Sequence, residues 1–201
     1  MLYLHSRSPP IIHKDLKGPN VLVADGWHVK VADFNLSKTL EENLAGQAGP
    51  GGTASGSGDD TTSQPVASNP RWLAPELILG GRATTASDVY AFGCVLYEML
   101  TWQLPWQGES QYPNVGQVLA GKRPPVPPAA QLPSPAAGAW TGLPAYLALM
   151  EACWAQEPGQ RPRFTDIVPS LWWVSVWQLS GHHCLASPAA LRPSSQVILV
   201  G

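Results

Sequence analysis

His13, Asp15, Lys17 and Asn20 stand in the order H-x-D-x-K-x-x-N, and Asp33-Phe34 follows thirteen residues after the asparagine. Phosphoryl transfer uses this inventory. One carboxylate orients a nucleophilic hydroxyl and accepts its proton, and a lysine neutralises charge on the transferring group. An amide oxygen and a second carboxylate hold Mg²⁺, which takes hard oxygen ligands. Asn20–Val23 and Trp27–Val31 read as short strands separated by Ala24-Asp25-Gly26, and Asp-Gly is a strong hairpin signal. A hairpin returns its two ends to one place, so Asn20 and Asp33 are expected side by side.

The elements that must position these residues are mostly helical. Met1–Leu4 resemble the last turn of a helix. Ser87–Leu100, "SDVYAFGCVLYEML", is apolar on nearly all sides and predicts a buried helix, with Ser87 as its N-cap. A shorter helix is expected within Pro113–Ala120, and a Pro/Ala-rich connection over Pro124–Gly142. Leu143, Leu147, Met150 and Trp154 recur at helical spacing and predict another helix. A last one is expected from about Phe164 to Trp173, with Pro169 awkwardly inside. Ala45–Pro65 is Gly/Ser/Thr-rich without apolar periodicity and reads as a flexible loop. The fold class is mainly α, with a small hairpin beside the candidate site.

Composition narrows the partners. Charged residues make up only 13% of the 201, beside 19 glycines and 21 prolines, and the net charge of −2 offers no basic footprint for nucleic acid. Cys94, Cys153 and Cys184 are far apart and odd in number, which points to a reducing compartment. With no signal-peptide pattern and no run of eighteen apolar residues, the expectation is a soluble, cytoplasmic protein without a membrane segment, the nucleus left open.

In chain order, "HKDLKGPN", "DFN" (Asp33–Asn35), "NPRWLAPE" (Asn69–Glu76), "SDVYAFGCVLYEML" and "CWAQEPGQRPRF" (Cys153–Phe164) resemble the C-terminal lobe of a eukaryotic protein kinase. Residues 1–173 carry the resemblance, with the catalytic loop at 13–20, the metal motif at 33–35 and the activation segment at 33–76. Residues 174–201 are left as an unassigned tail expected to be disordered. The lysine two residues after Asp15 is the serine/threonine-kinase pattern, and "PRWLAPE" is similar to the tyrosine-kinase-like group.

The resemblance implies ATP and Mg²⁺ as cofactors and a protein substrate bearing Ser or Thr. It implies Asp15 as catalytic base, Lys17 at the γ-phosphate and substrate hydroxyl, and Asn20 and Asp33 as metal ligands. His13 and Phe34 would stack beneath the site, Glu76 would pair with Arg161, and Asp88 would hold the catalytic-loop backbone.

The sequence also departs from the family. Lys14 replaces the usual arginine that grips a phosphorylated activation loop, and lysine is a weaker point charge. Thr53, Ser55, Thr61 and Thr62 are either the hydroxyls available for such control or plain linker residues. Asn35 replaces a glycine that permits positive φ, a substitution asparagine tolerates. Asn69 stands where threonine is usual. The family's N-terminal lobe, with its glycine-rich loop and paired lysine, would lie before residue 1. Gly49–Ala54 fits G-x-G-x-x-A by letter only, inside the low-complexity loop. His182-His183-Cys184 is a weak metal-site signal, three adjacent ligands without a fourth, and an unstructured tail is the favoured reading.

Three readings follow: a serine/threonine kinase fragment that phosphorylates proteins when complete, a catalytically silent lobe that binds a partner, or a non-functional product. For the 201 residues alone the expectation is very weak or absent Mg²⁺–ATP binding and no useful turnover.

Overall fold

The computed structural model describes residues 1–39, 70–108, 111–133 and 140–179. The Ala45–Pro65 segment, Asn69 and His182–Cys184 lie outside the described residues. In chain order the elements are α1 (Leu2–His5), β1 (Ile11–Ile12), β2 (Val21–Ala24), β3 (His28–Val31) and β4 (Lys38–Thr39). The helices α2 (Pro75–Ile78), α3 (Thr85–Thr101), α4 (Gln111–Leu119), α5 (Leu143–Cys153) and α6 (Phe164–Leu179) follow.

Helix α3 is the centre of the core. Val89, Tyr90, Cys94 and Leu96 are buried at 1% exposure each, on different sides of the helix, so its near-uniform apolarity reflects packing from several directions. Helix α5 crosses it closely, burying Met150 and Cys153 completely. Gly93 permits that approach: a Cβ there would sit 3.1 Å from the Cys153 Cβ and 3.2 Å from the Trp154 backbone nitrogen. The Tyr146 hydroxyl donates to the Leu96 carbonyl at 2.8 Å and locks the crossing. Burial pushes the Cys153 thiol up to about 12, so it packs as an inert apolar group.

The N-cap of α3 is Thr84, not Ser87. Ser87 sits one turn inside, where its hydroxyl accepts the Thr84 N–H at 3.1 Å and donates to Glu76 Oε1 at 3.0 Å. A serine three residues after a threonine can reach back to the cap this way, so the first good capping residue was one turn earlier. Helix α6 runs to Leu179, six residues beyond the boundary read at 173. Pro169 lies in its second turn, and no Pro or Gly between 170 and 179 interrupts the helix. Residues 174–179 are therefore helical, and 180–201 lie outside the described residues.

Two small antiparallel pairs flank the helices. β2 and β3 pair from Val21↔Val31 to Ala24↔His28, around a turn where Gly26 takes φ +70°. β1 and β4 pair as Ile11↔Thr39 and Ile12↔Lys38, a contact the sequence pattern does not reveal. Two residues per strand are too few to show alternation.

Candidate active site

The segment His13–Asn20 connects β1 to β2 and has little regular structure of its own, so other elements must fix its shape. Asp88, on α3 and 1% exposed, does much of this. Its carboxylate accepts the His13 N–H at 2.8 Å, the Lys14 N–H at 2.9 Å and the His5 Nε2 at 2.9 Å. Lys14 sits at φ +72°, a left-handed conformation that costs a non-glycine residue free energy. The buried carboxylate holds it there through the Lys14 N–H. Asp88→Asn turns an amide donor toward backbone donors and should cost about 1–3 kcal/mol. Urea unfolding checks this.

His13 is fully buried, and its ring lies 4.9 Å from that of Phe34. Nε2 donates to the Ala32 carbonyl at 3.1 Å, and Nδ1 accepts the Asp15 N–H at 3.3 Å. Both nitrogens are committed to backbone groups. The ring sets the spacing between residues 13–15 and 32–34 rather than presenting a base to solvent.

Asp15, Lys17 and Asn20 come together on one oxygen. Lys17 Nζ lies 2.6 Å from Asp15 Oδ2, and Asn20 Nδ2 donates to that oxygen at 3.2 Å and to the Asp15 carbonyl at 2.7 Å. Asn20 is buried, so its amide is held in one orientation with the nitrogen spent on Asp15. The Ala32 N–H donates to the Asn20 carbonyl at 2.9 Å, continuing the β2–β3 pairing and bringing the chain at Asp33 beside Asn20. Asp33 is exposed at φ +64°, and Asn35 Nδ2 donates to its Oδ1 at 2.8 Å. The left-handed residue of this turn is Asp33 itself; Asn35 does not take positive φ.

The donor set fits Mg²⁺. Asn20 retains its amide oxygen and Asp33 its Oδ2, both hard oxygens, and Mg²⁺ is commonly bound by one or two protein oxygens with phosphates and water completing the shell. Among the described residues no group of three or more His, Cys, Asp or Glu could form an all-protein cage.

Two further carboxylates brace the surroundings. Glu76 pairs bidentately with Arg161, at 2.7 Å to Nη1 and 2.8 Å to Nη2. Glu98 was not singled out from the sequence. Its Oε2 accepts the Gly18 N–H at 3.1 Å and the Trp72 Nε1–H at 2.9 Å, tying the His13–Asn20 segment to the stretch before α2. Burial raises its carboxyl above the usual range, against the opposing pull of those two donors. A glutamate inside the apolar run Val89–Leu100 was the signal that could have found it. A Cβ on Gly18 would lie 2.9 Å from Glu98 Oε1. Gly18→Ala should displace the carboxylate and cost about 1–2 kcal/mol, measurable by thermal unfolding.

Residues 1–171 match the family model described as protein tyrosine and serine/threonine kinase. The chain belongs to the protein kinase family. The kinase chain is 37% identical over 173 residues to the probable serine/threonine-protein kinase drkD of Dictyostelium discoideum, covering 84% of this chain and 11% of that one. It is 35% identical over 176 residues to the serine/threonine-protein kinase CTR1 of Arabidopsis thaliana, covering 85% and 18% respectively. It thus spans a fifth or less of these two relatives' length. Both relatives carry the name serine/threonine-protein kinase. No helix among the described residues is long and apolar enough to cross a membrane.

Proposed function

We propose that this chain carries the phosphate-transfer centre of a serine/threonine protein kinase. The observation that carries the reading is the convergence on Asp15: Lys17 and Asn20 both engage its Oδ2, on a segment whose backbone Asp88 fixes. Asp15 orients the substrate hydroxyl and takes its proton. Lys17 puts a positive charge where the γ-phosphate would sit, and its bond to Asp15 orients that carboxylate. Asn20 and Asp33 would hold Mg²⁺, which when bound would offset the negative charge of the ATP phosphates.

Little covalent chemistry is asked of the protein in such a transfer. Positioning and electrostatics supply most of the rate, so the fixed backbone matters as much as the side chains. The cytoplasm is the proposed location, and proteins bearing Ser or Thr are the proposed substrates.

The test uses the native protein, captured from its cells with an antibody against this chain. Incubated with Mg²⁺, γ-labelled ATP and a peptide mixture containing Ser, Thr and Tyr, it should place label on serine and threonine. Label on tyrosine alone, or none, contradicts the reading.

A further inference from the structure

Asn35 stands where the resemblance leads one to expect glycine, and its side chain is not idle. Its amide nitrogen donates to Asp33 Oδ1 at 2.8 Å. Asp33 takes φ +64°, a left-handed conformation that a non-glycine residue adopts at a cost. The next residue, Phe34, is anchored by its ring contact with the buried His13 at 4.9 Å. The Ser37 N–H closes the turn on the Phe34 carbonyl at 2.9 Å, and the Ser37 hydroxyl donates to the His13 carbonyl at 3.2 Å. Asp33 is thus the exposed, strained residue between Ala32, bonded to Asn20 and His13, and the anchored Phe34, and the Asn35 amide is the tether on its carboxylate.

We propose that Asn35 is a positioning residue for Asp33: its amide braces the carboxylate in one orientation, with Oδ1 occupied and Oδ2 left to a divalent cation. A hydrogen bond to a charged acceptor is stronger than one between neutral groups, so one amide suffices to bias an exposed side chain. Glycine at 35 would do the reverse, removing the donor and widening the backbone's freedom. The brace makes Asp33 preorganised, and preorganisation raises affinity by removing an ordering cost that binding otherwise bears.

The metal consequence rests on the reading of Asp33 as a cation ligand; the brace itself does not. Two readouts separate them, both on the 201-residue chain, with Asn35→Ala removing the donor alone and Asn35→Gly removing donor and Cβ. The first is backbone ¹⁵N relaxation at Asp33 and Phe34. The brace predicts wild-type order matching neighbouring residues and a fall at Asp33 in both variants. Unchanged order in Asn35→Ala overturns the proposal.

The second is Mn²⁺ affinity, from free Mn²⁺ counted by electron paramagnetic resonance. It should weaken about three- to tenfold in both variants, the worth of one net hydrogen bond. Wild-type affinity in Asn35→Ala with lost order overturns the preorganisation step. If Asp33→Asn leaves Mn²⁺ binding unaltered, the metal reading of Asp33 fails, and the relaxation data alone decide the brace.

Discussion

Asp15→Asn in the native protein should lower the rate of phosphate transfer about 10²- to 10⁴-fold, the range a positioned general base supplies. At about 1.36 kcal/mol per decade this is about 2.7–5.4 kcal/mol of transition-state stabilisation. The fold should survive. Asparagine keeps one oxygen where Lys17 Nζ and Asn20 Nδ2 now meet Asp15 Oδ2, and a single carbonyl oxygen can accept both. The Asn20 bond to the residue-15 carbonyl is untouched. What asparagine lacks is the negative charge that the proposed base role requires. Steady-state kinetics at saturating Mg²⁺–ATP, beside a denaturation curve, separates the two effects. A large rate loss with a stability change below about 1 kcal/mol is the expected pair of results. Loss of both together would mean that Asp15 serves the fold.

Arg161→Ala should be the most destabilising single change in the described chain, by about 3–5 kcal/mol in urea unfolding. The Arg161 side chain is fully buried and uses all five of its N–H donors. Nη1 donates to Glu76 Oε1 and to the Ala86 carbonyl at 3.0 Å. Nη2 donates to Glu76 Oε2 and to the Gln156 carbonyl at 3.2 Å, and Nε donates to the Ala155 carbonyl at 2.9 Å. The guanidinium also lies 5.1 Å from the centre of the buried Tyr90 ring. Removal strands the Glu76 carboxylate and three carbonyls at once. Arg161→Lys should recover little, because an ammonium cannot reproduce the planar fork. The exposed Arg163 is the control, with Arg163→Ala expected within about 0.5 kcal/mol of wild type.

The pair also sets a pH dependence. Burial alone would raise the Glu76 carboxyl, but the hydrogen bonds and charge of Arg161 outweigh it and hold the group below its ordinary 4.5. A carboxyl lowered on folding adds stability above its unfolded value and loses it as pH falls through the folded one. Wild type should therefore lose stability on acidification below about pH 4.5, while Arg161→Ala should show a shallower loss over the same range.

What could be read beforehand follows from how local each signal is. The hairpin is encoded within a dozen residues by Asp25-Gly26 and its flanking apolar runs, and α3 and α5 by uninterrupted periodic apolar stretches. The β1–β4 pair is not legible, because its partners are separated by the whole hairpin and offer two residues each. The cap of α3 was placed three residues late: Ser87 has the right chemistry but works from inside the first turn. The extension of α6 past residue 173 was hidden by Pro169, which reads as a breaker although α6 runs on through it to Leu179.

The site divides the same way. Asp15, Lys17, Asn20 and Asp33 announce themselves by type and spacing in one short segment. Glu98 and His5 do not, since their partners lie 80 and 83 residues away and only the folded chain brings them into register. The Asn35 amide is a middle case. Its departure from glycine is visible in the sequence, but its bond to Asp33 needs the turn geometry, which puts the positive φ at residue 33 instead of 35.

Residues 13–35 are proposed to assemble one cation- and phosphate-handling centre. Its most direct test is paramagnetic broadening of the 201-residue chain's amide signals on titration with Mn²⁺. The account predicts that Asn20, Asp33 and Phe34 broaden first, before the exposed carboxylate positions Asp25, Glu151 and Asp166. Broadening that starts at those surface positions and leaves Asn20, Asp33 and Phe34 sharp would contradict it.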